Sequence, residues 1–281
     1  MPDFALVTDS TAYIPQELVD KYDIKIAPQV LIWGETSYLD GVDIQPDEFY
    51  QRLQESDVHP TTSQATVASF HSIYEPLVKQ NLPILTIVLS EKLSGTLQSA
   101  QQAKEMFPGS TIELVDSRTT AMAMGFQVLA AARARQDGAS FNEAVEIAEQ
   151  ARDKTGVYFV VDTLEYLHRG GRIGGASKLF GTALNIKPLL QIADGRVESF
   201  EKVRTKSKAI ERMLEVVEQK LDGEDLIRIA ALHVAAESEA AQILEEAKRR
   251  LDPQEAMITV VSPVVGNHAG PGTVGLVYST V

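Results

Sequence analysis

The chain has 281 residues, a formal net charge of -13 and no cysteine. Its length exceeds the usual size of one compact core, so we expect two domains. The acidic balance argues against nucleic acid, whose phosphates are bound mainly by clustered Lys and Arg, and against an anionic lipid surface. Lack of cysteine excludes disulfides and thiolate chemistry and fits a cytoplasmic location. No apolar run reaches the roughly 20 residues of a membrane-spanning helix.

In the first half, apolar runs of strand length alternate with helical patterns, which predicts an α/β fold with a largely parallel sheet flanked by helices. Strands are expected at FALVTD, IKIAPQVLIW, PILTIVLS and TIELVDS. Helices are expected at PQELVDKY, PDEFYQRLQES, residues 67–78, residues 97–107, MAMGFQVLAAARARQDG and SFNEAVEIAEQARDKT. The turn before the helix at residue 67 is predicted to be PTTSQ.

The pattern changes near Thr155, which divides an N-terminal domain (1–154) from a C-terminal domain (155–281). GVYFVVDTL is apolar enough to be covered on both faces. The run IKPLLQIADGRVESFEKVRT alternates about an Asp-Gly pair and predicts an antiparallel hairpin. Two amphipathic helices flank the strand LIRIAALHVA, and MITVVSPVVG and TVGLVYST are the last predicted strands. The second half is therefore predicted to be a mixed sheet with helices.

A hydroxyl-rich stretch, SEKLSGTLQSA, follows the strand PILTIVLS. In an α/β sheet, ligands gather at the carboxyl ends of strands, where a starting helix presents free N–H groups and a positive dipole end. Ser94 is expected at the N-cap, Gly95 opens the approach, and Thr96 and Ser99 add donors. Together they would form a cradle for an anion. The structural alternative is that Ser94 only caps its helix.

A second hydroxyl cluster, at residues 60–64, also precedes a helix. It contains Thr62 and Ser63, which would add donors if both loops lie at one edge of the sheet. Thr61 and Gln64 fit a capping box as well, so a purely structural explanation is open here too.

A glycine-rich segment, SPVVGNHAGPGTVG, surrounds Asn267 and His268. Its Gly-Pro-Gly sequence requires a tight, sterically open turn. The imidazole of His268 either faces a cleft or makes a structural hydrogen bond. The other histidines are scattered along the chain, so no metal site is expected.

A further segment, YLHRGGRIGGASKLFGTALNIKP, lacks the patterns of phosphate-binding loops. In it, Arg169 and Arg172 form either a solvated basic turn or a docking patch. No G-x-S-x-G elbow occurs and no carboxylate pair stands out. An acyl hydrolase or a small-molecule kinase acting at the hydroxyl-lined cleft stays open as an alternative. So does an interaction module in which the hydroxyl loops are only caps.

In this order, the segments resemble the DegV family of bacterial fatty acid binding proteins over essentially the whole chain. The shared motifs are TDSTAYIP, TTSQ, LSGTLQSA, VDSRT, YLHRGGRI, LNIKPLL, KVRT and NHAGPG. The chain departs from the family pattern at Ala65 and Thr66, where Pro and Ser are common, and at Leu97, where an aromatic is common. Glu91 also places a negative charge near the proposed anion site.

The resemblance implies a two-domain protein that buries one long-chain fatty acid, such as palmitate or oleate, with the carboxylate at the domain junction. On the family pattern Thr62 and Ser94 hold the carboxylate, and Ser63 and His268 lie nearby. A tail of about fifteen CH2 groups would contribute on the order of 12 kcal/mol before the entropy of binding. Neutral hydroxyl and N–H donors are expected to hold the anion without Arg or Lys, which favours later release.

The resemblance also implies a partner. Similar proteins present the carboxyl group to a separate fatty acid kinase, which makes the acyl phosphate. The chain would then be a carrier without catalytic residues, cofactor or stable membrane insertion. On this interpretation Arg172 and Arg204 are candidates for docking the kinase.

Overall fold

The computed structural model describes residues 3–56, 58–181 and 187–281. Its strands are β1 (Ala5–Asp9), β2 (Ile24–Ala27), β3 (Val30–Trp33), β4 (Thr36–Leu39), β5 (Thr61–Ser63), β6 (Ile84–Val88), β7 (Ile112–Asp116), β8 (Thr155–Val160), β9 (Leu189–Ala193), β10 (Arg196–Glu201), β11 (Arg228–His233), β12 (Glu255–Val260) and β13 (Val274–Ser279). Its α-helices are α1 (Gln16–Lys21), α2 (Pro46–Glu55), α3 (Val67–Lys79), α4 (Thr96–Glu105), α5 (Ala121–Gln136), α6 (Phe141–Ala151), α7 (Glu165–Arg169), α8 (Lys206–Leu221), α9 (Glu237–Leu251) and α10 (Pro263–Ala269). The start of the LNIKPLL motif, residues 184–186, lies outside the described residues.

Four strands form the predicted parallel sheet, in the order β2-β1-β6-β7. Its side chains alternate between two faces, as strand geometry requires. Val7 and Ile84 pack with α3 and α4, whereas Leu6 and Leu85 pack with α5 and α6. Because helices cover both faces, the carboxyl edge of the sheet is the place left for a ligand.

A small antiparallel sheet, in the order β4-β3-β5, differs from the prediction. The extended run at residues 24–33 is two strands, because the chain leaves the parallel sheet at Pro28 and enters the small sheet as β3. The segment at residues 61–63, predicted as a turn, is strand β5. It pairs with β3 so that Thr62 lies opposite Leu31. Thr62 and Ser63 are therefore held by a sheet and not by a helix start.

Two predicted helix starts are also corrected. The capping box of Thr61 and Gln64 is absent, since α3 begins after Thr66, whose hydroxyl accepts an N–H of the first turn. The N-cap of α4 is Gly95, one residue later than predicted, and no side chain caps this helix. The alternative in which Ser94 only caps α4 therefore does not apply.

The six strands of the C-terminal half form a mixed sheet in the order β10-β9-β8-β13-β11-β12. β11 and β12 run parallel, and the other neighbours are antiparallel. The predicted hairpin joins β9 and β10 through Asp194 and Gly195, with φ of 47° and 79°, which is the backbone that favours Asp-Gly. α8 and α9 cover one face of this sheet, and its other face packs in the core that includes α5.

α5 lies between the two large sheets and joins their cores. It contacts β1 and β6 on one side and β8 and β13 on the other. Residues 121–132 are all buried, as expected for a helix that is apolar on every side. The α/β class with a parallel and a mixed sheet is confirmed, whereas the domain boundary at 154/155 stays a prediction. Within the described part of the chain, no helix combines the length and apolarity needed to cross a membrane.

The segment predicted as the end of a strand and a glycine-rich loop is partly helical. Residues 263–269 form α10, with Ser262 at the N-cap. Pro263 occupies the first helical position, where its missing N–H costs nothing, although the β-branched residues around it suggested a strand. The tight turn expected from Gly-Pro-Gly follows α10, with φ of 82° at Gly270 and 81° at Gly272. His268 is therefore placed by a helix.

Candidate functional site

A cavity lies between the carboxyl edge of the parallel sheet and the face of the mixed sheet that turns toward α5. Its empty volume, including the part open to solvent, is about 940 Å³, within the range of small-molecule sites. Most of its wall is apolar and comes from strands of the mixed sheet and from α10, including Val157, Phe159, Ile192, Leu232, Val264 and Ala269. Such a wall suits a hydrocarbon, whose burial is favourable without specific partners.

Polar side chains also line this cavity. Thr62, Ser63, Ser94 and His268, which the sequence predicted to lie near a carboxylate, all line the cavity. The Thr62 hydroxyl and His268 Nε2 are hydrogen-bonded at 2.7 Å. The structure thus brings together three segments that are far apart in the sequence. Among the residues that the structure describes, no cluster of His, Cys, Asp or Glu suits a metal ion.

A second, more polar cleft adjoins the cavity. The two spaces share Thr62, Arg172 and His268. The remaining wall of the cleft is formed by His59, Pro60, Thr61, Tyr166, Arg169, Gly170 and Asn267. A ligand head group held at the three shared residues would therefore have its tail in the apolar cavity and its polar end toward the cleft.

Local structure explains why Thr62 and His268 meet. Pairing with β3 fixes the position of Thr62, which lies opposite Leu31. The side-chain amide of Asn267 donates a hydrogen bond to the carbonyl oxygen of Pro60 at 3.0 Å. This bond holds the end of α10 beside the start of β5, so the two neighbouring side chains come within hydrogen-bonding distance.

Gln29 is a residue of the site that the sequence did not reveal. It lines the cavity, its Nε2 donates to Thr96 Oγ1 at 2.9 Å, and its Oε1 accepts the N–H of Ala65 at 3.0 Å. The hydroxyls of Ser94 and Thr96 lie 2.9 Å apart. The structure places neither Gly95 nor Thr96 on the cavity wall: Thr96 is buried behind Ser94, and Gly95 lines a separate outer depression. A glutamine within an apolar extended run was the only available signal for Gln29.

Arg172 lies on the cavity wall, which corrects the expectation of a site without cations. Its Nε donates to the Leu93 carbonyl at 3.1 Å and its Nη1 donates to the Gly170 carbonyl at 2.8 Å. The turn after α7 thus folds against the loop that carries Ser94, a contact between distant segments that sequence patterns do not reveal. Arg204 is exposed and is not part of the described wall. Docking through either arginine stays a prediction.

His268 is neutral at physiological pH. Burial lowers its pKa to about 4, and the charge of Arg172 acts in the same direction. Its Nδ1 is buried and has no hydrogen-bond partner among the described residues. Its Nε2 is hydrogen-bonded to the Thr62 hydroxyl, and the tautomer of the ring decides whether this nitrogen donates or accepts the proton of that bond. It can therefore adjust when the Thr62 hydroxyl turns to a ligand.

The same combination of fold and motifs occurs in known proteins. The family model described as "Uncharacterised protein, DegV family" matches residues 3–281. This chain belongs to the DegV family. A DegV domain-containing protein of Clostridium perfringens is 38% identical over 278 residues, with 98% of each chain covered.

Two solved DegV structures agree closely with the fold. A DegV family protein from Thermus thermophilus, described by its fatty acid binding, has a TM-score of 0.93 at 34% identity and covers 99% of both chains. DegV from Bacillus subtilis, described as a fatty acid binding protein, has a TM-score of 0.92 at 32% identity over 99% of both chains. The predicted family and the DegV-like fold are confirmed.

In this DegV protein, we expect His268 to make the empty protein sensitive to acid. Its pKa in the folded state, about 4, lies below the ordinary value of 6.5, so the unfolded chain binds more protons between these values and stability falls as pH falls through that window. Between pH 7.5 and pH 5, the free energy of unfolding of the wild type should fall by about 2 kcal/mol more than that of His268→Gln. Urea unfolding of both proteins at each pH measures this difference, and parallel losses would contradict it.

We also expect Gly170→Ala to disturb the contact between Thr62 and His268 in this DegV protein. The backbone of Gly170 allows alanine, since its φ is -75°, but a Cβ there would collide with the His268 ring. The collision should displace the ring from Thr62 and cost about 1–3 kcal/mol of stability. Unfolding of Gly170→Ala alone and in a His268→Ala background measures it. The loss of stability should largely vanish in the double variant. An equal loss in both backgrounds would show that the collision is not with the His268 ring.

Proposed function

We propose that this DegV protein binds one long-chain fatty acid, with the carboxylate held by Thr62 and Ser94 beside Ser63 and His268. The observation that carries the proposal is a cavity with a largely apolar wall that also includes Thr62, Ser63, Ser94 and His268, of which Thr62 and His268 are hydrogen-bonded. The DegV structures from Thermus thermophilus and Bacillus subtilis, both described by fatty acid binding, support it. Palmitate and oleate are ligands of the proposed class.

We propose that the tail and the carboxylate of the ligand make different contributions to binding. Each buried CH2 group contributes about 0.8 kcal/mol, so the tail provides the affinity. A buried carboxylate is costly unless it is hydrogen-bonded. The hydroxyls of Thr62 and Ser94 supply the donors, and the positive charge of Arg172 favours the ionised form. The head group therefore fixes the orientation of the ligand.

We propose further that the protein is a cytoplasmic carrier that presents this carboxyl group to a separate fatty acid kinase for conversion to the acyl phosphate. The polar cleft beside Thr62, Arg172 and His268 supports this role, because it leaves the carboxylate approachable from outside while the tail stays buried. Arg172 and Arg204 are the proposed docking residues. On this proposal the chain supplies no catalytic group and no cofactor.

The 2.7 Å hydrogen bond between Thr62 and His268 favours one alternative, an acyl hydrolase with a hydroxyl nucleophile and an imidazole base. Such a pair normally has a third group that orients the base. Here Nδ1 of His268 has no partner in the described part of the chain, and burial keeps the pKa of the imidazole near 4, too low for an effective base at neutral pH. The carrier proposal therefore has the stronger support.

Lipid analysis of the purified protein tests the binding proposal. Protein expressed in a bacterial host should release close to one equivalent of long-chain fatty acid when it is denatured, extracted and analysed by mass spectrometry. A sample that is empty, folded and unable to take up palmitate or oleate would overturn the proposal.

An activity assay separates carrier from enzyme. The carrier proposal expects no turnover of acyl esters or ATP by the protein alone, and formation of acyl phosphate when ATP and a bacterial fatty acid kinase are added. Ester hydrolysis without a partner that is lost in Thr62→Val would favour the hydrolase instead.

A further inference from the structure

α10 carries a large share of the proposed binding site but is only seven residues long. His268, Val264, Val265 and Ala269 of this helix line the cavity. A helix of two turns has little stability of its own in water, so its position depends on contacts with the rest of the protein. The hydrogen bond from Asn267 to β5 holds its C-terminal end.

The start of α10 is held by a buried polar group of side chains, here called the Asp40 cluster and formed by Ser10, Tyr13, Asp40, Tyr50 and Ser262. Ser262 Oγ donates to Asp40 Oδ2 at 2.7 Å and accepts from Tyr13 Oη at 3.0 Å. Ser10 Oγ donates to the same carboxylate oxygen at 2.7 Å. Tyr50 Oη donates mainly to the Val261 carbonyl at 2.5 Å and lies 3.2 Å from the Ser262 carbonyl. The described cavity wall includes none of the five. The cluster reaches the site through α10 and also through Gln29, whose N–H donates to Ser10 Oγ at 3.1 Å and whose carbonyl accepts the N–H of Asp40 at 3.0 Å.

Asp40 is the carboxylate at the centre of this cluster and is 1% exposed. Burial raises its pKa to about 6, the two serine hydroxyls lower it, and the charge of Asp9 raises it. Tyr13 and Tyr50 also face it, as neutral phenols whose pKa burial and the Asp40 charge raise further. Because the pKa lies above the ordinary value of 3.8, ionised Asp40 lowers the stability of the fold at neutral pH. The ionised carboxylate therefore does not stabilise the fold at neutral pH, but its hydrogen bonds fix the position of Ser262 at the start of α10.

We propose that Asp40 is a positioning residue for the fatty acid site: its carboxylate holds Ser262 at the start of α10 and so sets His268 against Thr62. This inference rests on the proposed function. A charge-assisted hydrogen bond is roughly twice as strong as a neutral one. A protonated or amidated Asp40 therefore holds Ser262 less firmly, which lets α10 shift and lengthens the hydrogen bonds to the carboxylate.

Asp40→Asn tests the proposal, because it keeps the shape of the side chain and removes its charge. The probe is cis-parinaric acid, a fluorescent long-chain fatty acid, titrated into each protein at pH 7.5 and pH 5. At pH 7.5 the variant should bind about 3- to 10-fold more weakly than the wild type. At pH 5, where Asp40 of the wild type is itself mostly protonated, the two should agree within about twofold. Titration of the ligand and of His268 affects both proteins and cancels in the ratio.

Asp43→Asn is the matched control. The carboxylate of Asp43 accepts the N–H of Leu39 on the exposed side of the same loop and forms no hydrogen bond with Ser262 within the described part of the chain. Its affinity for cis-parinaric acid should equal that of the wild type at both pH values. Nitrogen-15 NMR of the His268 ring supplies a second readout, and its Nε2 signal should move in Asp40→Asn at pH 7.5 but not in Asp43→Asn.

Two results would overturn the proposal: equal affinities with an unchanged His268 signal, or a ratio of affinities that is the same at both pH values, as a merely structural role would give. A wild type that binds no probe would overturn the proposed function instead. In that case the His268 signal still decides whether Asp40 positions α10.

Discussion

The double variant Thr62→Val with Ser94→Ala is expected to bind palmitate at least about 100-fold more weakly than the wild type. A hydrogen bond to a charged group contributes about 1.5–3 kcal/mol, and each 1.4 kcal/mol is a factor of ten in affinity. Both hydroxyls line the cavity. Equilibrium titration with palmitate, accompanied by urea unfolding of the empty proteins, measures the effect.

The same experiment separates ligand binding from a structural role for these hydroxyls. Ser94 does not cap α4, whose N-cap is Gly95, so the loss of stability should come mainly from the Thr62 bond to His268 and stay near 1 kcal/mol. A control with Ser72→Ala and Thr111→Val removes two exposed hydroxyls away from the cavity and should leave affinity unchanged. Unchanged affinity in the site variant, with a comparable loss of stability, would favour an interaction module.

Val157→Phe is expected to abolish most of the affinity for long chains while sparing short ones. Val157 lies on β8, and its side chain forms part of the apolar wall. A phenyl ring there would take the room of about four CH2 groups, about 3 kcal/mol at 0.8 kcal/mol each, or roughly 100-fold for palmitate. Octanoate should lose less than about threefold, since on the proposed orientation its short tail ends before Val157.

Affinities for a series of acids from octanoate to stearate measure this effect. The exposed Val42→Phe is the matched control and should leave the whole series unchanged. An equal loss for all chain lengths would indicate a disturbed head-group site, and no loss for palmitate would place the tail elsewhere.

Local sequence was sufficient for the elements whose environment is uniform. α5 was recognisable because it is apolar on every side, and the hairpin at Asp194 and Gly195 because those residues favour left-handed backbone. The strands of the parallel sheet were recognisable as buried apolar runs. In each case the local sequence and the final packing favour the same structure.

The errors lie where distant contacts decide the outcome. Thr62 lies on a strand that pairs with β3, and the β-branched run around Pro263 belongs to a helix whose N-cap, Ser262, is hydrogen-bonded to Asp40. Arg172 is held at the wall by the carbonyl of the distant Leu93 and by that of the neighbouring Gly170, which both accept its guanidinium. Gln29 offered no chemical pattern of its own. Thr62, Ser94 and His268 were predicted from the family motifs. The structure places all three on the cavity wall and joins Thr62 to His268 by a hydrogen bond, and their role in binding stays a prediction.

The central claim is that the carboxylate of a fatty acid lies at Thr62, Ser94 and His268 while its tail fills the apolar cavity. A crystal structure of the protein soaked with palmitate tests this most directly. The account predicts a carboxylate within hydrogen-bonding distance of the Thr62 and Ser94 hydroxyls and a tail that passes Val157. A palmitate with the opposite orientation, or one bound outside this cavity, would contradict it.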